Sequence, residues 1–172
     1  MLLAAPALAA PTPTSPGHVD FGEFTAPADG TFVEVNIHGN LINMAARLTE
    51  SSEPEVATIL RELKSVRVNV IGMDDDNREA IKGRMASVRK RLGEKGWERI
   101  VTVQDGKEDV GVFMKFKGEE AVEGIVVTVI QGDSEAVFVN IVGNLRPEQI
   151  AEVGKRLNIE PLKKISGKLN GH

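Results

Sequence analysis

From Thr31 to Ile37 apolar and polar positions alternate. Val33, Val35 and Ile37 fall on one face and Glu34 and Asn36 on the other, which predicts a half-buried strand. Gly39-Asn40 turns the chain. Leu41, Met44, Ala45 and Leu48 then recur at i, i+3, i+4 and i+7, the predicted buried stripe of a helix. Pro54 opens a second helix with Val56, Ile59, Leu60 and Leu63 inward, because proline fits a first helical turn and not an interior. Val66, Val68 and Val70 alternate with Arg67 and Asn69 in the next strand. Asp74-Asp75-Asp76 follows, and Asp76 with Glu79 predicts a capping box. The longest helix comes next, with Ile81, Met85, Val88 and Leu92 buried. Its acidic start and its basic end (Arg89, Lys90, Arg91, Lys95) suit the helix dipole. Four strands in series are predicted over 97–104, 110–116, 121–131 and 136–142, with Asp105-Gly106 and Gly132-Asp133 as turns. A closing helix begins near Pro147, with Ile150, Val153 and Leu157 inward.

One heptapeptide occurs almost twice. Val35-Asn36-Ile37-His38-Gly39-Asn40-Leu41 returns as Val139-Asn140-Ile141-Val142-Gly143-Asn144-Leu145, changed only at its fourth residue. The expectation is one strand-turn-helix corner used at both ends of the fold. Gly39 and Gly143 would take positive φ, and Asn40 and Asn144 would satisfy turn or cap amides. Asn36 and Asn140 fall opposite the helices and need partners if buried, such as each other across neighbouring strands. Two such corners also suit a bound anion, but no Gly-x-Gly-x-x-Gly and no phosphate-loop lysine accompanies them.

These elements predict an α+β fold: a mostly antiparallel sheet of about six strands with helices packed on one face, a two-layer sandwich in the ferredoxin-like style. Strands 121–131 and 136–142 are apolar on both faces and so require cover on both. With Ile125, Val127, Val129, Val137, Val139 and Ile141 under the helices, the opposite face presents Val126, Thr128, Ile130, Phe138 and Val142. That face is a candidate interaction surface. It would be covered by the segment around Phe21 and Phe24 or by a second subunit.

Composition narrows the picture. The 172 residues suffice for one domain, and a net charge of −4 leaves no nucleic-acid footprint. The absence of cysteine removes disulfides, thiolate metal sites and a cysteine nucleophile. There is no tyrosine, and Trp97 is the only tryptophan. Met1–Ala10 is apolar and small, with Ala7-Leu8-Ala9 fitting a signal-peptidase site, but it lacks a basic front. It reads as the end of a signal peptide whose true start lies upstream, followed by a Pro-rich linker. The predicted division is leader and linker over 1–17, an extended lead-in over 18–30, the α+β domain over 31–158 and a basic flexible tail over 159–172. No stretch predicts a transmembrane helix.

Candidate chemistry is sparse. The acidic run with Glu79 lacks the spaced ligands and central glycine of a calcium loop. Of His18, His38 and His172, only His38 lies at a structured corner, and no Gly-x-Ser-x-Gly elbow supplies a nucleophile for it. Neither a catalytic residue, a metal ligand nor a cofactor site is nominated. Arg84, Arg89, Lys90, Arg91 and Lys95, with Lys155, Arg156, Lys163, Lys164 and Lys168, form a solvated face or, if gathered, a peripheral contact with anionic lipid. No aromatic residues interleave with them as nucleic-acid binding would require.

With these residues in view, the chain resembles the bacterial family of uncharacterised exported proteins known as Domain of Unknown Function 4252. The resemblance rests on Phe32-Val33-Glu34-Val35-Asn36-Ile37, on Gly96-Trp97, and on Glu135-Ala136-Val137-Phe138-Val139-Asn140-Ile141-Val142-Gly143, and it spans roughly 30–157. It implies a small exported or envelope protein, periplasmic or secreted. The family has no established activity, so no site residues carry over. The resulting expectation is a non-enzymatic envelope protein that binds a protein partner or its own copy in a regulatory role. The alternative is a small-ligand or lipid-binding protein with its ligand between the sheet and its cover.

Overall fold

A computed structural model describes residues 15–156 and residue 158. The element order is β1 (Phe32–His38), α1 (Gly39–Thr49), α2 (Pro54–Glu62), β2 (Leu63–Gly72), α3 (Arg78–Glu94), β3 (Glu98–Gln104), β4 (Glu108–Lys117), β5 (Ala121–Gln131), β6 (Glu135–Leu145) and α4 (Pro147–Arg156). The six strands form one antiparallel sheet in the order β1-β2-β6-β5-β4-β3. Class and sheet are those the alternation predicts.

The distribution of helices is not. Ile42 of α1 and Ile150 and Val153 of α4 pack with Val66, Ile125, Val127, Val139 and Ile141 on one face. Ile81, Met85, Val88 and Leu92 of α3 pack with Ile71, Phe113, Val126 and Phe138 on the other. Both faces therefore carry helices, which corrects the two-layer expectation. The strand order makes α3 a crossover helix. β2 and β3 point the same way and stand four strand spacings apart, ~19 Å. The 17 residues of α3 reach ~25 Å, so the helix crosses the sheet between them.

Beside α3 lies the lead-in. Phe21 is buried, and the rings of Phe21 and Phe24 stand 5.5 and 5.0 Å from that of Phe138. Val126, Thr128, Phe138 and Val142 are all buried and Ile130 is half-buried. The proposed interaction face is thus closed by the chain itself, by α3 and by the Phe21–Phe24 segment. Of the two covers expected, the Phe21–Phe24 segment is the one present, joined by α3, and these residues are not the open interaction surface the sequence suggests.

The last residues of the predicted linker belong to the fold. Gly17 is buried where the lead-in crosses β5. A Cβ on Gly17 would lie 1.9 Å from the Glu123 carbonyl oxygen, and one on Gly124 would lie 2.5 Å from the Trp97 ring. Only two glycines allow this backbone crossing. Residues 1–14 of the predicted leader, Leu157 and the 159–172 tail fall outside the described residues.

Candidate functional site

The repeated motif lands in register. β1 and β6 both pair with β2, one on each side, and run parallel to each other. Val35 and Val139 flank Val68, Asn36 and Asn140 flank Arg67, and Ile37 and Ile141 flank Val66. Arg67 therefore stands between the two asparagines, and they do not bond to each other. Asn36 is exposed. Asn140 is 2% exposed and fully engaged: the Val19 N–H donates to its Oδ1 (2.9 Å), and its Nδ2 donates to the Gly17 and Ile125 carbonyls (3.0 and 3.2 Å). Arg67 Nη2 donates to the Gly22 carbonyl (3.3 Å), and its guanidinium lies 5.9 Å from the Phe21 ring centroid. On α3, Arg84 donates to the Glu23 carbonyl and lies 4.6 Å over Phe24, while Arg91 donates to the Asp20 carbonyl (3.2 Å). These contacts make the lead-in a strap held from both sides.

The two corners are not equivalent. Gly39 begins α1 and Gly143 lies inside β6, and neither has positive φ. A Cβ on Gly39 would meet nothing nearer than 4.0 Å, whereas one on Gly143 would lie 2.5 Å from the Glu62 carbonyl oxygen. Gly143 is there for a close approach at the β2 bulge, and the strand continues to Leu145. Asn40 is exposed and makes no cap bond; Asn144 is exposed and donates to Glu62 Oε2 at 3.4 Å. His38 is the N-cap of α1 and contributes no side-chain cap bond.

The acidic run is also structural. The N-cap of α3 is Asn77, so the predicted Asp76–Glu79 box is not formed. Asp74 Oδ1 instead accepts the backbone N–H groups of Asp76 and Asn77, and Asn77 Oδ1 accepts that of Asp74. Arg78 pairs with Asp75 at 2.7 Å, which raises its pKa, chiefly through that hydrogen bond. Lys82 donates to Asp133 at 3.0 Å. This bond, then the Lys82 charge, then that of Arg78 hold the Asp133 carboxyl below the usual range. Among the described residues no group of acidic and histidine side chains is arranged to hold a metal ion.

Three arginines of α3, Arg84, Arg89 and Arg91, tie the helix to the lead-in and the sheet. Arg89 donates from one Nη to both oxygens of Asp109 (2.8 and 3.0 Å) and from Nε to Thr128 (2.9 Å). This contact lines a cleft of about 380 Å³ with Lys82, Lys107 and Glu108. A second cleft, of about 310 Å³, opens between the strap and α3 beside His18, Lys95, Trp97 and Lys115. Both sit at the rim, while between sheet and cover the Phe21 and Phe24 rings pack on that of Phe138. Sequence reasoning missed Arg67, Arg84 and Arg89 as fasteners; the signal was a lone arginine on the polar face of a strand and two on an otherwise apolar helix face.

What is left outward-facing is the predicted stripe of α1. The helix buries Ile42 and Ala46. Leu41, Met44 and Leu48 are 50, 53 and 76% exposed, and Val33 and Val35 on the α1-bearing face of β1 are 43 and 36% exposed. Among the described residues these are the large apolar side chains left in solvent. No helix among those residues is long and apolar enough to cross a membrane. Neither the curated proteins nor the solved structures offer a match to the chain. The model of one family does match, over residues 28–153, and the chain accordingly belongs to the family described as Domain of unknown function (DUF4252).

Proposed function

We propose that the protein is a non-enzymatic exported or envelope protein that acts by macromolecular binding in a regulatory role, and that the β1–α1 surface makes the contact. One observation carries the binding half of this reading: among the described residues, the five exposed large apolar side chains all fall between Val33 and Leu48, on two consecutive elements. Single exposed apolar residues are ordinary on a soluble protein, whereas gathered ones mark interaction sites. The export half rests on the apolar Met1–Ala10 stretch and its Ala7-Leu8-Ala9 site. A ligand between sheet and cover is disfavoured by the aromatic rings packed on one another there.

The test is a photo-reactive residue placed at Leu48 in living source cells, with the exposed Lys90 on α3 as the control position. Discrete covalent adducts at Leu48 that are missing at Lys90 are expected. Equal labelling at the two positions would refute the assignment.

A further inference from the structure

The open edge of the sheet at β1 is built to accept a strand. Thr31 accepts a hydrogen bond from the Gly72 N–H at 2.7 Å, which pairs those two residues. Hydrogen-bonded and non-hydrogen-bonded positions alternate along an antiparallel pair. Val33, Val35 and Ile37 therefore bond inward to β2, and Phe32, Glu34, Asn36 and His38 turn their N–H and C=O groups to the open side. β1 pairs with β2 over seven residues without a bulge. Its only charged side chain is Glu34. The opposite edge, β3, is defended: it carries Glu98 and Arg99, and a bulge breaks its pairing between Arg99 and Val101. Charges and bulges are the usual means of blocking an edge, and β1 has almost none of this.

We propose that this edge pairs with β1 of a second copy, antiparallel about a two-fold axis through Val35. This rests on the reading of β1–α1 as the binding surface and names its occupant. Symmetry and side-chain chemistry select the register. Centring on Val35 sets Glu34 opposite Asn36 and Phe32 opposite His38, and these four residues carry the free backbone groups. A register centred on Glu34 would set two carboxylates face to face, which is destabilising. Centring on Val35 also puts Val35 beside Val35 and Val33 beside Ile37, apolar against apolar, at the closely spaced positions of the ladder. All seven residues of β1 are used. The two sheets become one, and both α1 helices lie on the same face of it, one on each side of the axis. A stable interface buries on the order of 1,000 Å² or more, so Leu41, Met44 and Leu48 of the two copies complete what the strands begin. An isologous contact of this kind closes as a dimer and leaves no further edge of the same type.

The test uses the full chain. Sedimentation at micromolar concentration is expected to give twice the 18.6 kDa of one chain. The protein has no cysteine, so Val35→Cys reports one position cleanly. Closely spaced residues of an antiparallel pair have Cα atoms ~4.5 Å apart, within disulfide reach. With an added oxidant, Val35→Cys should form a covalent dimer far faster than Thr102→Cys on the exposed side of β3. Glu34→Pro removes an outward N–H and no bond to β2, and should yield a monomer with an unchanged circular dichroism spectrum. A monomeric wild type, or equal cross-linking at Val35→Cys and Thr102→Cys, would overturn the proposal. A monomer whose Leu48 probe still captures a different protein would overturn the dimer alone. A monomer with no Leu48 adduct would overturn the binding surface as well.

Discussion

Replacing Asn140 by alanine should destabilise the protein by about 2–4 kcal/mol, while the same change at Asn36 should stay within about 0.5 kcal/mol. The two asparagines hold the same place in the repeated heptapeptide and flank the same arginine. Their surroundings differ. Asn140 is 2% exposed and makes three hydrogen bonds, two of them to strap residues Gly17 and Val19. If the strap stays in place after the substitution, the Val19 N–H and the Gly17 carbonyl lose their partners, at about 1–3 kcal/mol for each group that is left unsatisfied. If the strap lifts instead, Phe21, 1% exposed, leaves the core, at about 1.5–3 kcal/mol. Neither route is cheap. Urea unfolding in dilute solution, followed by fluorescence, measures the loss. Trp97 is the only tryptophan, is 6% exposed, and lines the cleft beneath Ser15, Pro16 and His18, so it reports directly on the strap. Equal losses at Asn140 and Asn36, or a loss below about 1 kcal/mol at Asn140, would refute the fastening role.

Two further outcomes follow from the same geometry. Gly143→Ala should cost about 1–3 kcal/mol, because its Cβ meets the Glu62 carbonyl at 2.5 Å, whereas Gly39→Ala should be neutral or stabilising by up to about 1 kcal/mol at an unstrained helix start. Chemical denaturation of the pair checks this, and equal costs would be the contrary result. Asp133 is held below its ordinary pKa by Lys82 and then Arg78, so its contribution is present above the unfolded value of about 4 and fades as pH falls through the lower folded value. Asp133→Asn should therefore melt below wild type at neutral pH and converge with it in acid, and a gap that persists in acid would count against the pairing.

Alternation and helical spacing made each element visible in the sequence, and α3 shows why: Ile81, Met85, Val88 and Leu92 form one stripe with no rival, and all four are buried. α1 was legible as a helix but not in its facing. Leu41, Met44 and Leu48 make one stripe, and Ile42 and Ala46 make another of the same period. Small Ala46 lets the helix lie close to the sheet, and larger side chains are turned out; a single sequence does not rank these two outcomes. Gly143 read as a turn because strand alternation ends there in composition, yet Leu63 pairs with Gly143 and Val122 with Leu145, so the ladder runs on to the end of β6. The face occupied by α3 depends on the strand order and on the hand of the β2–α3–β3 crossover, which no local pattern encodes. The candidate face of Val126 and Phe138 was correctly read as apolar and as needing cover. What covers it was half-legible, in the spacing of Phe21 and Phe24.

The position of β6 in the sheet has a consequence for how the protein is made. Among the described strands β6 is the last to be synthesised, and it lies inside the sheet, between β2 and β5. Before it emerges, β1 and β2 cannot join the β3–β4–β5 meander, because the strand that connects them does not yet exist. The strap waits equally long, since its seat is Asn140, 121 residues beyond Val19. Closure over such separations is what slows folding in β-rich chains. Assembly therefore waits for β6: until that strand emerges, the growing chain remains a set of incomplete pieces.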